Sequence, residues 1–177
     1  MSYSRCWIHN ILFYDLVYKF KIRNLHQIPH IHKIVLSIDF PPSTTSPYHV
    51  IYGLSILKLI SNQKPIIFRS ASAISGSRLR KGTILGCRSV ISNENIYRFL
   101  DVFIFCILPQ IKDLNVSKIN VDKNYSISFD NFLLFSQFFN KEFDFDCNLK
   151  VTATFFIRSF DKNHSKIFLS GLQFPLR

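Results

Sequence analysis

Across residues 16–93 the sequence holds a single carboxylate, Asp39. A span so poor in acids has almost nothing of its own to neutralise its bases, and it turns away cationic partners. Closely spaced cysteines are also missing. Cys6, Cys87, Cys106 and Cys147 stand far apart with no C-x-x-C pair, so no structural zinc site is expected and nothing calls for an oxidising compartment. Cys87 and Cys106 fall in apolar periodic runs, where a small buried thiol is the ordinary occupant. No serine sits in a G-x-S-x-G elbow. Carboxylates cluster only in "EFDFD", where Glu142, Asp144 and Asp146 on a strand would form a solvated acidic edge rather than an acid–base pair. No catalysis and no cofactor are therefore expected. The longest apolar run, Phe99–Pro109, contains Asp101 and falls short of the roughly 20 residues that cross a bilayer. The N-terminal stretch lacks a secretory apolar region, and Asp15 with its aromatic neighbours fits a structural helix better than a transit peptide.

What the chain has in quantity is phenylalanine and positive charge. Nineteen Phe and a 47% apolar composition are enough to build a real core in 177 residues. The net charge is +11, and eleven of the 22 Lys and Arg lie in residues 16–93 beside that lone acid. Residues 64–90, "KPIIFRSASAISGSRLRKGTILGCRSV", carry Lys64, Arg69, Arg78, Arg80, Lys81 and Arg88 with no carboxylate at all. Such a one-sided distribution is the footprint of a polyanion-binding face. "GSRLRKGT" is not a P-loop, because Thr83 follows the second glycine where that motif needs lysine. It remains a glycine-flanked tip whose guanidinium groups match phosphate oxygens. His30 and His32, two apart on a strand with His26 nearby, could ligate a metal, but no carboxylate or thiolate lies close in sequence and no metal is expected.

Periodicity supplies the elements. Apolar residues at 12, 13, 16, 17 and 20 predict an amphipathic helix over Ile11–Arg23, and alternation in "IHKIVLSIDF" predicts a strand with one wet face. After a proline-rich loop, Ile51, Leu54, Leu57 and Leu59 predict a helix over Tyr48–Ser61. Pro65–Ser70 and Thr83–Ile91 read as strands joined by a long hairpin connection. Asn93 and Glu94 read as a helix start, and Ile96, Phe99, Leu100, Phe103 and Ile107 as its buried face, ending at Pro109. "NYSISF" (124–129) and "LKVTATFFI" (149–157) alternate as strands, and Asp161 and Gly171 bound a last helix. The order αβαββαββα, with no repeat and no linker, predicts an α+β fold: one domain over residues 1–177, an antiparallel sheet covered by helices.

Laid out this way, Gln63–Val90 resembles the core of large-subunit ribosomal protein five, the universal 5S rRNA-binding family of the central protuberance. "QIPHIHKIVLSI" (27–38), "FLDVFIFCILPQIKDL" (99–114), "NYSISFDNFLLF" (124–135) and the closing "LKVTATFFIRSFD" and "FLSGLQFPLR" resemble the family's collinear blocks. The resemblance implies an RNA-binding scaffold that docks 5S rRNA on large-subunit rRNA beside neighbouring large-subunit proteins. It implies a basic loop, Ser70–Gly82, reaching toward P-site tRNA, and a bridge to small-subunit ribosomal protein thirteen. Carried over by position, Ser37, Gln63, Lys64, Arg69 and Arg88 would face rRNA, and Arg78, Arg80 and Lys81 would face tRNA. The chain departs from the family where it has Ser37 for the usual Asn, Val90 for Thr, and Ser92-Asn93 for Arg-Gly. It also has Ser72 and Ala73 for loop lysines, and a shorter connection, "NVSKINVDK", before "NYS". Such thinning fits a divergent mitochondrial ribosome. Opening directly at the family's first helix leads us to expect an organelle-encoded copy. The alternatives are a free-standing basic nucleic-acid or tRNA-binding module and, without an amphipathic anchor to support it, a peripheral membrane protein; no membrane partner is expected.

Overall fold

The alternating "HIHKIVLSID" forms the long strand β1 (His30–Asp39) near the middle of an antiparallel sheet. The computed structural model describes residues 2–22, 24–40, 47–73, 80–111, 115–116, 124–129 and 149–176. In it β2 (Ile66–Arg69) and β3 (Ile84–Ile91) lie to one side of β1. β6 (Val151–Arg158), β5 (Asn124–Phe129) and β4 (Asn115–Val116) lie to the other. The order is β2-β3-β1-β6-β5-β4, and every pairing is antiparallel. The α+β class is as expected. β4 is an addition, since two residues in a polar stretch show no periodicity.

Period two sorts the strand residues. Ile34, Leu36 and Ile38 of β1, Cys87 and Ile91 of β3, and Val151, Ala153, Phe155 and Ile157 of β6 are buried against the helices. Burial pushes the Cys87 thiol up to about 11, so it is a structural group.

Helix α1 runs through Tyr3–Trp7, a π-helical turn at Ile8–Leu12, and Phe13–Phe20. It starts well before the expected Ile11, because the π turn inserts a residue and breaks the apolar spacing. Its free N-terminal donors are met from another helix. The Asp101 carboxylate accepts the Tyr3 N–H at 3.1 Å, the Ser4 N–H at 2.7 Å and the Ser4 hydroxyl at 2.5 Å. The helix stops at Lys21, which turns left-handed (φ 48°). Helix α2 (Pro47–Ser61) has the expected extent but another inner face. Val50, Tyr52, Ile56, Leu57 and Ile60 are buried, while Ile51 and Leu59 are exposed. A helix apolar on nearly every side leaves its pattern without a direction.

Helix α3 is Glu94–Val102, prolonged by a π turn at Phe103–Ile107 and a 3-10 turn at Leu108–Gln110. Its expected face, Ile96, Phe99, Leu100, Phe103 and Ile107, is buried throughout. Asn93 precedes it but makes no side-chain cap; its carbonyl accepts the Ile96 N–H at 3.2 Å instead. Asn93 has φ 58°, ψ −136°, a left-handed conformation in which the glycine usual in the resembled family costs no strain. Asp161 likewise precedes α4 (Lys162–Gly171) without a side-chain cap. The left-handed residue closing α4 is Gln173 (φ 62°), with the Phe174 N–H returning to the Leu169 carbonyl at 3.1 Å. Gly171 serves packing instead, because a Cβ there would collide with Leu12 of α1. The Trp7 Nε1–H donates to the Gly171 carbonyl at 3.2 Å, tying the same two helices.

Candidate nucleic-acid interface

No described element covers the second face of the sheet, and the register says what stands on it. Ile66 faces Arg88, Arg88 faces Ser37, Ser37 faces Thr152, and Thr152 faces Ser128. With strands about 4.8 Å apart, these residues form one row about 19 Å wide across β2, β3, β1, β6 and β5. A second row runs Val90, Val35, Thr154, Ser126, and the Ser126 hydroxyl donates to Thr154 Oγ1 at 3.2 Å. A third holds Lys33, Phe156 and Asn124, with the Lys33 ammonium 4.9 Å from the Phe156 ring centre. The surface therefore combines hydroxyls, an amide and cations. Asp39, opposite Gly86, is its only carboxylate among the described residues. Ion pairs between described residues, Arg5–Glu94 and Lys19–Asp15, belong to the helices, and no described carboxylate pairs with Arg88 or Lys33.

Ser37 and Arg88, far apart in sequence, are direct cross-strand partners at the centre of this face. Gln63 and Lys64 sit where α2 passes into β2. The Gln63 amide donates to the Ser92 carbonyl at 3.4 Å and to the Ser92 hydroxyl at 3.5 Å, which fastens that turn to the end of β3. Arg69 stands at the other end of β2, opposite Ile84. Beyond it the hairpin connection is clamped at its base: the Ser70 N–H donates to the Thr83 carbonyl at 2.9 Å and the Gly82 N–H to the Ser70 carbonyl at 3.0 Å. Arg80 and Lys81 are exposed just past this clamp, and Arg78 lies outside the described residues. Glu142, Asp144, Asp146 and Cys147 lie outside them too.

The hydroxyls Thr152, Thr154, Ser126 and Ser128 and the cation Lys33 were not collected by reading the sequence. Their strands are visible in the alternation, but nothing local says which strands become neighbours. Among the described residues no cluster of three His, Cys, Asp or Glu is placed to hold a metal ion, and no helix is long and apolar enough to cross a membrane.

No protein-family model matches the chain. Individual proteins do. It is 34% identical over 135 residues to large ribosomal subunit protein uL5 of Pediococcus pentosaceus, covering 75% of this chain and 72% of that one. The chain belongs to the uL5 family. It is also 28% identical to uL5m of Reclinomonas americana over 170 residues, 92% of this chain and 91% of the other. With uL5c of Stigeoclonium helveticum the identity is 35% over 125 residues, 69% of each chain. As a uL5, the chain is a structural constituent of a large ribosomal subunit. Bacterial and organellar uL5 proteins are alike among its relatives.

Proposed function

We propose that this uL5 docks ribosomal RNA, 5S rRNA and adjoining large-subunit rRNA, on the open face of its sheet within the central protuberance. The observation that carries the reading is the Ile66–Arg88–Ser37–Thr152–Ser128 row, a cation amid hydroxyls on a rigid frame with one carboxylate nearby. Arg88 supplies a forked donor for phosphate oxygens. Serine and threonine hydroxyls both give and accept hydrogen bonds, which suits ribose 2′-hydroxyls and phosphates. Gln63 and Lys64 extend the contact at one end of β2, and Arg69 at the other.

The hairpin has a separate role in this reading. Its base is fixed by the Ser70–Thr83 and Ser70–Gly82 bonds; in this reading Arg80 and Lys81, exposed beside that base, act with Arg78 to meet P-site tRNA. Family membership supports the remaining partners, neighbouring large-subunit proteins and small-subunit ribosomal protein thirteen. Likeness to a uL5m over nearly the whole chain supports a mitochondrial ribosome in the matrix.

An Arg88→Ala protein tests the docking face. Loss of one charge-assisted contact should weaken binding to the cognate rRNA roughly ten- to a hundredfold and flatten the salt dependence by about 0.9 in log–log slope. Unchanged affinity and slope would remove Arg88 from the interface. Cosedimentation with large subunits at high salt separates this reading from a free-standing nucleic-acid-binding module.

A further inference from the structure

A second polar site lies where the His30 end of β1 meets α1 and the start of α3. Arg5 and His9 of α1, His30 and His32 of β1, and Tyr97 of α3 line a cavity of about 310 Å³, at the small end of ligand-pocket sizes. Two departures from regular backbone meet there. His9 lies in the π turn of α1. His32 is the extra residue of a β-bulge, left out of the ladder between Ile31, which faces Ile157, and Lys33, which faces Phe156. Bulges and π turns re-aim side chains and recur at functional sites. A regular helix and a regular strand would set these two rings elsewhere.

The groups divide by chemistry. The Arg5 guanidinium is 6.0 Å from the Tyr97 ring centre and the His9 ring 6.4 Å from it, so a cation and two π faces adjoin. His30 Nδ1 lies 3.3 Å from the Ile28 carbonyl. Donating there leaves its Nε2 as an acceptor, the complement of a hydroxyl or amino proton. Among the described residues Glu94 is the one carboxylate lining the cavity, and it holds Arg5 in an exposed pair at 3.2 Å. Such a pair contributes little and is readily exchanged for another anion.

We propose that this notch binds one nucleotide of a single-stranded RNA segment. Phosphate displaces Glu94 from Arg5, the base lies on Tyr97 and His9, and the His30 acceptor takes the 2′-hydroxyl. The proposal rests on the reading of the chain as an RNA-docking uL5 and adds a contact beyond the open-face rows described above. RNA is preferred to an acidic peptide because the notch offers ring faces and an acceptor beside its cation, and carboxylates use neither.

The test uses the full 177-residue chain and a twelve-nucleotide single-stranded RNA carrying 4-thiouridine, with the DNA of the same sequence as comparison. Glu94→Gln should tighten RNA binding about twofold or more by freeing Arg5. Arg5→Ala should weaken it similarly, and Tyr97→Leu should weaken it about fivefold or more through lost stacking. The DNA should bind less tightly, and crosslinks should fall on His9 or Tyr97. Melting temperatures near wild type show that each variant is folded. If Arg88→Ala weakens binding while the three notch variants do not change it, and crosslinks stay on the strands, the notch proposal is wrong and the sheet reading stands. If a glutamate-rich peptide binds with the Glu94→Gln and Arg5→Ala dependence and the RNA does not, the occupant is protein and the proposal fails.

Discussion

Replacing Phe103 by alanine should remove more stability than almost any other single change. Phe103 is fully buried in the π turn of α3, with ring centres at 5.5 Å to Phe99, 5.4 Å to Phe155, 5.8 Å to Phe174 and 6.4 Å to Phe129. Core Phe→Ala changes cost about 3–5 kcal/mol. Ring pairs add about 0.5–1.5 kcal/mol each beyond area, so four neighbours place this site toward the upper end, about 4.5 kcal/mol. Unfolding entropy near 2.1 cal/mol/K per residue gives about 0.37 kcal/mol/K for 177 residues. The midpoint should then fall by about 12 °C in a calorimetric melt that is reversible and two-state. Phe105, two residues on, is 54% exposed and meets Tyr3 edge-on; its alanine variant should lose under about 3 °C. A Phe103→Ala midpoint within 3 °C of wild type, or equal losses at the two positions, would refute the assigned inner face.

Gly86→Ala should cost about 1–3 kcal/mol, because a Cβ would press into the Ile38 carbonyl and the Phe68 ring; an unchanged denaturant midpoint would contradict that crowding. Alkaline conditions should destabilise the fold. Burial raises Cys87 from 9.0 to about 11 and Tyr52 from 10.0 to about 12, so the unfolded chain gives up these protons first. Their stabilisation is complete below pH 9 and is lost progressively as pH climbs toward 12. Denaturant midpoints measured between pH 8 and pH 11 should decline, and a flat series would show that these groups do not report on folding.

Much of this was legible in the sequence because the signals were local. β1, β5 and β6 alternate, and the stripe from Ile96 to Ile107 needs only helical spacing to be found. Charge asymmetry picked out Arg88 and Lys64 with no knowledge of pairing. Information that depends on tertiary neighbours was not legible. Thr152 and Ser128 join Ser37 and Arg88 only because β6 and β5 follow β1 in the sheet. The inner face of α2 could not be read from a helix with Ile51 and Leu59 as apolar as Ile56 and Ile60. Asp101 looked like an interruption in an apolar run; its use, accepting the first donors of α1, joins residues almost a hundred positions apart. Asn93 matched a capping residue by type, but its backbone sits where a side-chain cap does not form.

The most direct test of the docking face is a cryo-EM map of the native large subunit that carries this chain. The account predicts RNA across the open sheet, with phosphate oxygens or 2′-hydroxyls within about 3.2 Å of the Arg88 guanidinium and of the Ser37 and Thr152 hydroxyls. A map in which that face is covered by protein, or open to solvent with RNA confined to the helices, would contradict it.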